Sequence, residues 1–308
     1  MQIIKSKSLV IILVLILIQS CSSYESPETP VDEAPVGEEV FRIPVVVHVI
    51  HSGYDIGEEN NLSSERVIRQ IQILNEDFRR KPGTRGFNAH EDGADSRIEF
   101  VLAKQTPEGT PFNGINRVDT TSVKVDILGY GPNHYAQYAY WNPEQYVNIW
   151  TTPVPRSTEC LALGIATGPD IDLPGIEHLA IPQSGDAEGI LISWMHFGES
   201  DIDCHARYGR TITHEMGHYL GLLHPWGGAN CEFNDYCDDT PAVDSPVYGR
   251  TAFEGCQGKM VQIENYMNWS HDDVMNMFSK DQIERMRYVL THHKGRNSLL
   301  NSKALETP

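Results

Sequence analysis

Positive charge is scarce in this chain. Its 308 residues carry 24 Lys and Arg against 42 Asp and Glu, a formal net charge of −18. A surface of that sign repels phosphate backbones, so nucleic acid is not an expected partner. It suits a cationic substrate, and equally an ordinary acidic exported protein. Long apolar runs are nearly absent, and beyond residue 20 none is long enough to span a membrane. Internal repeats are absent too, so the globular part reads as one large domain or two closely packed lobes. Cysteine is sparse and unevenly placed, with six in all and none between Cys21 and Cys160.

The single apolar run lies at the start. Lys5 and Lys7 precede an apolar stretch over residues 9–18, too short for a spanning helix and of the length of a secretory signal. It stops at Ile18-Gln19-Ser20-Cys21, which resembles a bacterial lipobox, with Gln19 bulkier than the usual small residue. The expectation is a lipoprotein signal over residues 1–21 and Cys21 as a lipidated N-terminus. Several acyl chains give stable membrane attachment where one does not. The protein is then exported and anchored to a bacterial membrane or cell surface; with ordinary signal cleavage it is secreted. Residues 22–39 are acidic and rich in Pro, Ser and Glu, with almost nothing to bury, and read as a disordered linker. The globular composition runs over residues 40–295, and residues 296–308 read as a polar tail.

The chemistry concentrates in residues 211–226, TITHEMGHYLGLLHPW, which hold the pattern HExxHxxGxxH at His214, Glu215, His218, Gly221 and His224. Helix positions i and i+4 lie on one face, so His214 and His218 point two imidazoles at one spot. The carboxylate of Glu215 falls beside that spot. Gly221 can end the helix in the left-handed conformation that glycine adopts cheaply, and the chain then returns His224 as a third ligand. Three neutral nitrogens with one open position form the donor set of a catalytic zinc site. Ile212, Met216, Tyr219, Leu220, Leu222 and Leu223 would also suit a plain core helix. From average composition, however, the five-position pattern arises by chance in roughly one chain in 10⁵ of this length. The other histidines considered, His48, His51, His196, His292 and His293, read as structural or surface residues.

Periodicity places the remaining elements. Residues 39–50 are β-branched and bounded by turn residues, the mark of a buried strand. Ser63 or Ser64 caps a helix with Val67, Ile71, Leu74 and Phe78 on one face. Residues 98–104, 146–150 and 189–196 read as further strands, the last as the edge along which a substrate would lie. The metal helix is expected over roughly 208–221, and Ser279 caps a last helix. The class is α+β: a twisted mixed sheet with helices over the active-site helix, then an irregular subdomain ending in a helix. With Cys21 lipidated, five cysteines remain. Export favours disulfides, and an odd number leaves at least one without an intramolecular partner.

With this helix and the segment around Met267 both in view, the chain resembles the metzincin zinc peptidases, and among them the ulilysin-like pappalysins. Four stretches carry the resemblance: residues 41–51, FRIPVVVHVIH; 71–80, IQILNEDFRR; 211–224; and 265–282, NYMNWSHDDVMNMFSKDQ. Serralysins can share the proline after the third histidine, here Pro225, but this chain has none of their Gly- and Asp-rich calcium repeats.

The resemblance implies a zinc-dependent endopeptidase with a protein or peptide substrate. Glu215 would act as general base and Met267 as the methionine under the metal. Two residues on, Trp269 stands where the family usually has a tyrosine; an indole cannot ligate zinc. Asp272 matches an aspartate at the base of the pocket for the residue after the scissile bond, where a carboxylate selects Arg or Lys. A solvated acidic loop is the alternative, since Asp273 is its neighbour. Asp235 and Thr240 match a calcium-binding loop, and Cys231 and Cys256 match one family disulfide. The second family disulfide is missing, because Val274 occupies one of its positions. A Cys160–Cys204 bridge and a free Cys237 remain open. With Cys21 lipidated, latency through a propeptide cysteine on the metal is not expected. A rival reading is a lipoprotein that keeps the metal fold and captures peptide without cutting it. Trp269 favours that reading and the intact Glu215 opposes it.

Overall fold

The first globular segment, FRIPVVVHVIH, forms strand β1 (Phe41–His51), buried along its length except for Arg42. Such a run has no polar face to turn to water, so neighbours must cover both faces and both edges. In this computed structural model, which describes residues 39–123, 131–153, 160, 163–232 and 234–308, β1 is the centre of the sheet. On one edge, β2 (Ile98–Leu102) pairs with its first half and β3 (Ile115–Asp119) with its second half, both parallel. On the other edge lies β4 (Val147–Thr152), parallel and in register Val45 to Val147. The sheet order is β2-β1-β4-β6-β5. Here β6 (Ile190–Ser193) is parallel to β4, and β5 (Gly164–Ala166) is antiparallel to β6.

Helix α1 (Ser64–Phe78) lies against this sheet. Ser63 caps it by accepting a hydrogen bond from the Arg66 amide at 3.2 Å, and Val67, Ile71, Leu74 and Phe78 are buried. A short helix α2 (Pro132–Ala136) precedes β4. The metal-motif helix α3 (Arg210–Tyr219) packs against α1, β5 and β6. The chain is irregular from there to α4 (Lys280–His292), apart from β7 (Tyr248–Gly249) paired with β8 (Trp269–Ser270). A capping box starts α4: Ser279 and Gln282 each bind the other's backbone N–H. The class is α+β, as expected.

Three expectations need correction. The strand foreseen over residues 189–196 stops at Ser193 and turns into a 3₁₀ segment, Trp194–His196. It is also interior, between β4 and β5. All four residues of β6 are buried, as expected of a strand with neighbours on both edges and cover on both faces. The edge strand is β5, whose three residues are too few to show a period. Finally, residues from 296 do not form a free polar tail. Helix α5 (Lys294–Leu299) and a 3₁₀ turn at Lys303–Leu305 pack back, with Arg296, Leu299, Ser302 and Ala304 buried. Ala304 sits in a small core with Val46, Ala103 and Tyr146, and Ser302 Oγ donates to the Gln145 carbonyl at 2.7 Å. Cys21, the signal and the linker lie outside the described residues. Among the described residues no helix is long and apolar enough to cross a membrane.

Candidate active site

Helix α3 carries His214 and His218 one turn apart. It ends at Tyr219, and Gly221 follows with φ 91°. A Cβ at Gly221 would meet Val289 of α4 at 2.9 Å in a conformation already unfavourable for L-residues. The reversal there returns His224, and the three Nε2 atoms stand 3.1 Å apart in every pair. His214 donates its Nδ1–H to the Tyr266 carbonyl at 2.7 Å, and His218 donates its own to the Leu222 carbonyl at 2.8 Å. Those bonds fix the tautomer, so Nε2 of each ring is the lone-pair nitrogen. Burial holds His214 down to about 3 and His218 to about 4, and lowers His224 further. All three are neutral near pH 7. Converging lone pairs repel unless a cation lies among them. Tetrahedral zinc with Zn–N bonds of 2.0–2.1 Å requires nitrogens about 3.3 Å apart, so this donor set fits zinc.

Glu215 lies beside the triad, buried, and burial pushes its carboxyl up to about 8 against an opposing hydrogen bond from the Ala166 backbone. Strand β5 comes very close: a Cβ at Gly164 would sit 2.9 Å from Glu215 Cγ and 3.1 Å from its Oε1. Glycine at 164 is what lets the strand pass over the carboxylate. The triad, Glu215 and β5 open into one cleft of ≈ 830 Å³. Its far side is formed by His205, Tyr248, Trp269 and Asp272.

Two comparisons with known proteins match this arrangement. The peptidase M43 family, described as pregnancy-associated plasma protein-A, matches residues 132–291, more than half of the chain. Mature mirolysin of Tannerella forsythia, solved in complex with a cleaved peptide, superposes with a TM-score of 0.68 at 30% identity, covering 86% of this chain and 97% of that one. The chain belongs to the M43 pappalysin family of metallopeptidases. Curated relatives agree over a shorter span. An extracellular metalloprotease of Arthroderma benhamiae is 38% identical over 103 residues, 32% of this chain and 35% of that protein. One of Aspergillus oryzae is 32% identical over 133 residues, 41% of this chain and 40% of that protein. The matched region thus spans well under half the length of these fungal proteins.

The positions that the pappalysin resemblance singled out now have locations. Met267 is fully buried under α3, and a Cβ at Gly217 would collide with its sulfur. Trp269 is 40% exposed on the cleft, with its ring edge-on to His224 at 5.3 Å. Tyr266 is turned away and packs on Phe278. Asp272 is buried at the cleft wall, and its Oδ2 accepts from the backbone N–H of Tyr208 at 2.7 Å and of Arg210 at 3.2 Å. Burial pushes its carboxyl up to about 6. Asp273 faces outward and pairs with Arg250 at 2.9 Å, which separates two neighbours that the sequence left ambiguous.

Asp235 and Thr240 are also together and buried. Thr240 Oγ1 donates to Asp235 Oδ1 at 2.5 Å, and Asp235 Oδ2 has no partner among the described residues. Disulfides join Cys231 to Cys256 and Cys160 to Cys204, while Cys237 is free and buried, its thiol pushed up by burial. The sequence reading missed β5 and assigned no part to Trp226. An aromatic residue two positions after a metal-motif histidine was the available signal.

Proposed function

We propose that this chain is an exported zinc endopeptidase that cuts extended peptides, preferring Arg and then Lys after the scissile bond. The observation that carries the reading is the convergence of three neutral Nε2 atoms beside a buried carboxylate in one cleft. His214, His218 and His224 would hold the metal. Zinc in such a site supplies Lewis-acid polarisation of the scissile carbonyl and acidifies water. Glu215 takes the proton of the attacking water and later delivers it to the leaving amine.

Strand β5 ends the sheet beside Glu215, so a substrate adding itself there as a further strand brings its backbone across the carboxylate. Met267 gives α3 an apolar floor under the triad. Asp272 already has one oxygen committed to two backbone amides, which fixes its orientation at the cleft wall. A guanidinium entering there meets a desolvated carboxylate and gains a two-pronged hydrogen bond; ammonium offers only a point charge. The mirolysin complex with a cleaved peptide supports a peptide substrate. The unpartnered Asp235 Oδ2 beside Thr240 supports a calcium ion in that loop. The basic start and lipobox-like Cys21, with relatives named extracellular metalloproteases, support export and attachment through an N-terminal lipid. Capture without cleavage is not favoured, since Glu215 is intact and faces the cleft.

The test is cleavage-site mapping on a complex peptide mixture, with and without a chelator. The expected result is cutting that stops on chelation, returns with zinc, and shows Arg enriched just after the cut bond. Metal-independent cutting, or binding without turnover, would overturn the enzymatic reading.

A further inference from the structure

We propose that Trp226 is a positioning residue for the metal, its indole plane aiming His224 as carbonyl acceptors aim the other two ligands. The inference rests on the reading of the three histidines as one metal site.

The three ligands are not held alike. His214 and His218 each donate Nδ1–H to a backbone carbonyl. His224 has no protein acceptor at Nδ1 among the described residues. An imidazole tethered only through its Cβ has a broad second torsion, so its lone pair is not directed. Metal-ligating imidazoles normally owe their direction to a partner on the other nitrogen. At His224 the partner is a ring. Trp226 lies face to face with it, centroids 4.2 Å apart and planes 9° from parallel. Trp269 meets it edge-on at 5.3 Å and 76°, and the two indoles touch at 4.9 Å. Rotation of His224 out of the ligand plane would drive it into one indole or the other.

The local sequence explains how Trp226 comes to stack on a residue two positions before it. His224-Pro225-Trp226-Gly227 is a tight turn, closed by the Gly227 amide donating to the His224 carbonyl at 2.9 Å. Proline at the second position pre-sets the backbone for that turn. The indole is fixed from its other side, where Trp226 is 5% exposed in a cluster with Val243, Val247, Val261 and Ile263. The core of the irregular lobe is therefore in direct contact with the third ligand. Stacking also suits the charge, because an imidazole that has donated its lone pair to a cation turns electropositive toward the electron-rich indole face. Trp269, which cannot ligate, supplies the edge of the same clamp.

The test is zinc affinity of the metal-stripped protein, read by competition with a chelator of known affinity, so that turnover does not enter. Trp226→Leu keeps buried apolar bulk and removes the ring; Trp226→Phe keeps a ring. Trp226→Leu should weaken zinc binding about 10- to 100-fold, the scale for losing a ligand-orienting partner, and Trp226→Phe by about threefold or less. Melting of the stripped proteins should be similar for the two variants. Should Trp226→Leu not fold, Trp226→Met and Trp226→Tyr make the same separation of bulk from ring. Equal zinc affinity in the ring-free and ring-bearing variants would overturn the inference, whether both match wild type or both lose equally. A wild-type protein that takes up no zinc would instead overturn the underlying metal reading.

Discussion

The two walls of the cleft are built by opposite means. Above and along α3, regular elements do the work: a parallel ladder centred on β1, the edge strand β5, and a helix that spaces His214, Glu215 and His218 by its own period. Below Gly221, among the described residues, the strands before α4 are two residues long, with a few isolated bridges beside them. There the backbone is held by side chains and crosslinks. Asn265 and Gln282 exchange hydrogen bonds at 2.9 and 3.1 Å, Arg285 donates to the Gly221 carbonyl at 2.7 Å, and Cys231 is joined to Cys256. The upper wall supplies the reacting groups with precision from secondary structure. The lower wall carries His224, Met267 and Asp272, the proposed third ligand, floor and pocket, each dependent on a few long-range contacts. Loss of a reacting group from the first should abolish chemistry, whereas a change in the strand beside it, or damage to the second, should loosen geometry, metal, specificity or stability by smaller amounts.

The largest effect is expected in the upper wall. His218→Ala leaves two nitrogens, which cannot make a three-ligand zinc site. Metal analysis of the purified variant should find no stoichiometric zinc, and turnover should be undetectable. Retention of zinc at wild-type stoichiometry would break the comparison at its strongest point.

Asp272 in the lower wall should matter for choice rather than for chemistry. Asp272→Ala should reduce the preference for Arg after the scissile bond by about 2–4 kcal/mol, the scale for removing one partner of a buried charged pair. Cleavage of non-basic sites should change little. Its carboxyl, raised to about 6, is ionised above that pH and neutral below. The kcat/KM ratio of an Arg over a Leu peptide should therefore be high at pH 8 and fall as pH drops through about 6. A ratio flat across that range, or a loss at Asp273→Ala instead, would assign the pocket elsewhere.

The Cys231–Cys256 bridge closes a 25-residue separation, for which loop entropy gives about 3 kcal/mol. A Cys231→Ser, Cys256→Ser double variant should lose about 3 kcal/mol of unfolding free energy and melt at a lower temperature, while the upper sheet keeps its slow-exchanging amides. Simultaneous loss of protection in β1 would show that the two walls unfold as one unit.

The smallest expected effect is at Gly164. A methyl there would stand 2.9 Å from Glu215 Cγ and 3.0 Å from Ile192 Cδ1, so one of these side chains must give way. Gly164→Ala should lower kcat by about tenfold, less than the roughly 10²-fold that a 1 Å misplacement costs, with KM and zinc content unchanged. A rise in KM at constant kcat would mean that β5 holds substrate only, not the base.

The same contrast explains what was legible in the sequence. His214, Glu215 and His218 could be placed because helix spacing is a property of the helix alone, and Gly221 because a reversal there needs a positive φ. Strand β1 announced itself through an unbroken β-branched run. Strand β5 did not, because Gly164-Ile165-Ala166 has no period to read. Asp272 and Asp273 could not be told apart, because their partners, Tyr208 and Arg210 for one and Arg250 for the other, lie far off in the chain. The packing of Leu299 and Ala304 was hidden for a similar reason. Small buried groups among polar neighbours carry little signal until the surface that receives them exists. Trp226 was visible as a residue, but its role depends on a turn geometry and on a valine-rich cluster that begins 17 residues later at Val243.

The proposed function requires one zinc held by His214, His218 and His224 with Glu215 as the base beside it. The most direct measurement takes zinc stoichiometry and peptide turnover on the same samples of wild type and Glu215→Gln. One zinc per chain is expected in both, with turnover of the variant lower by about 10²–10⁴ or more, the usual worth of general acid–base catalysis. A Glu215→Gln protein that holds zinc and cuts at near-wild-type rate would contradict it.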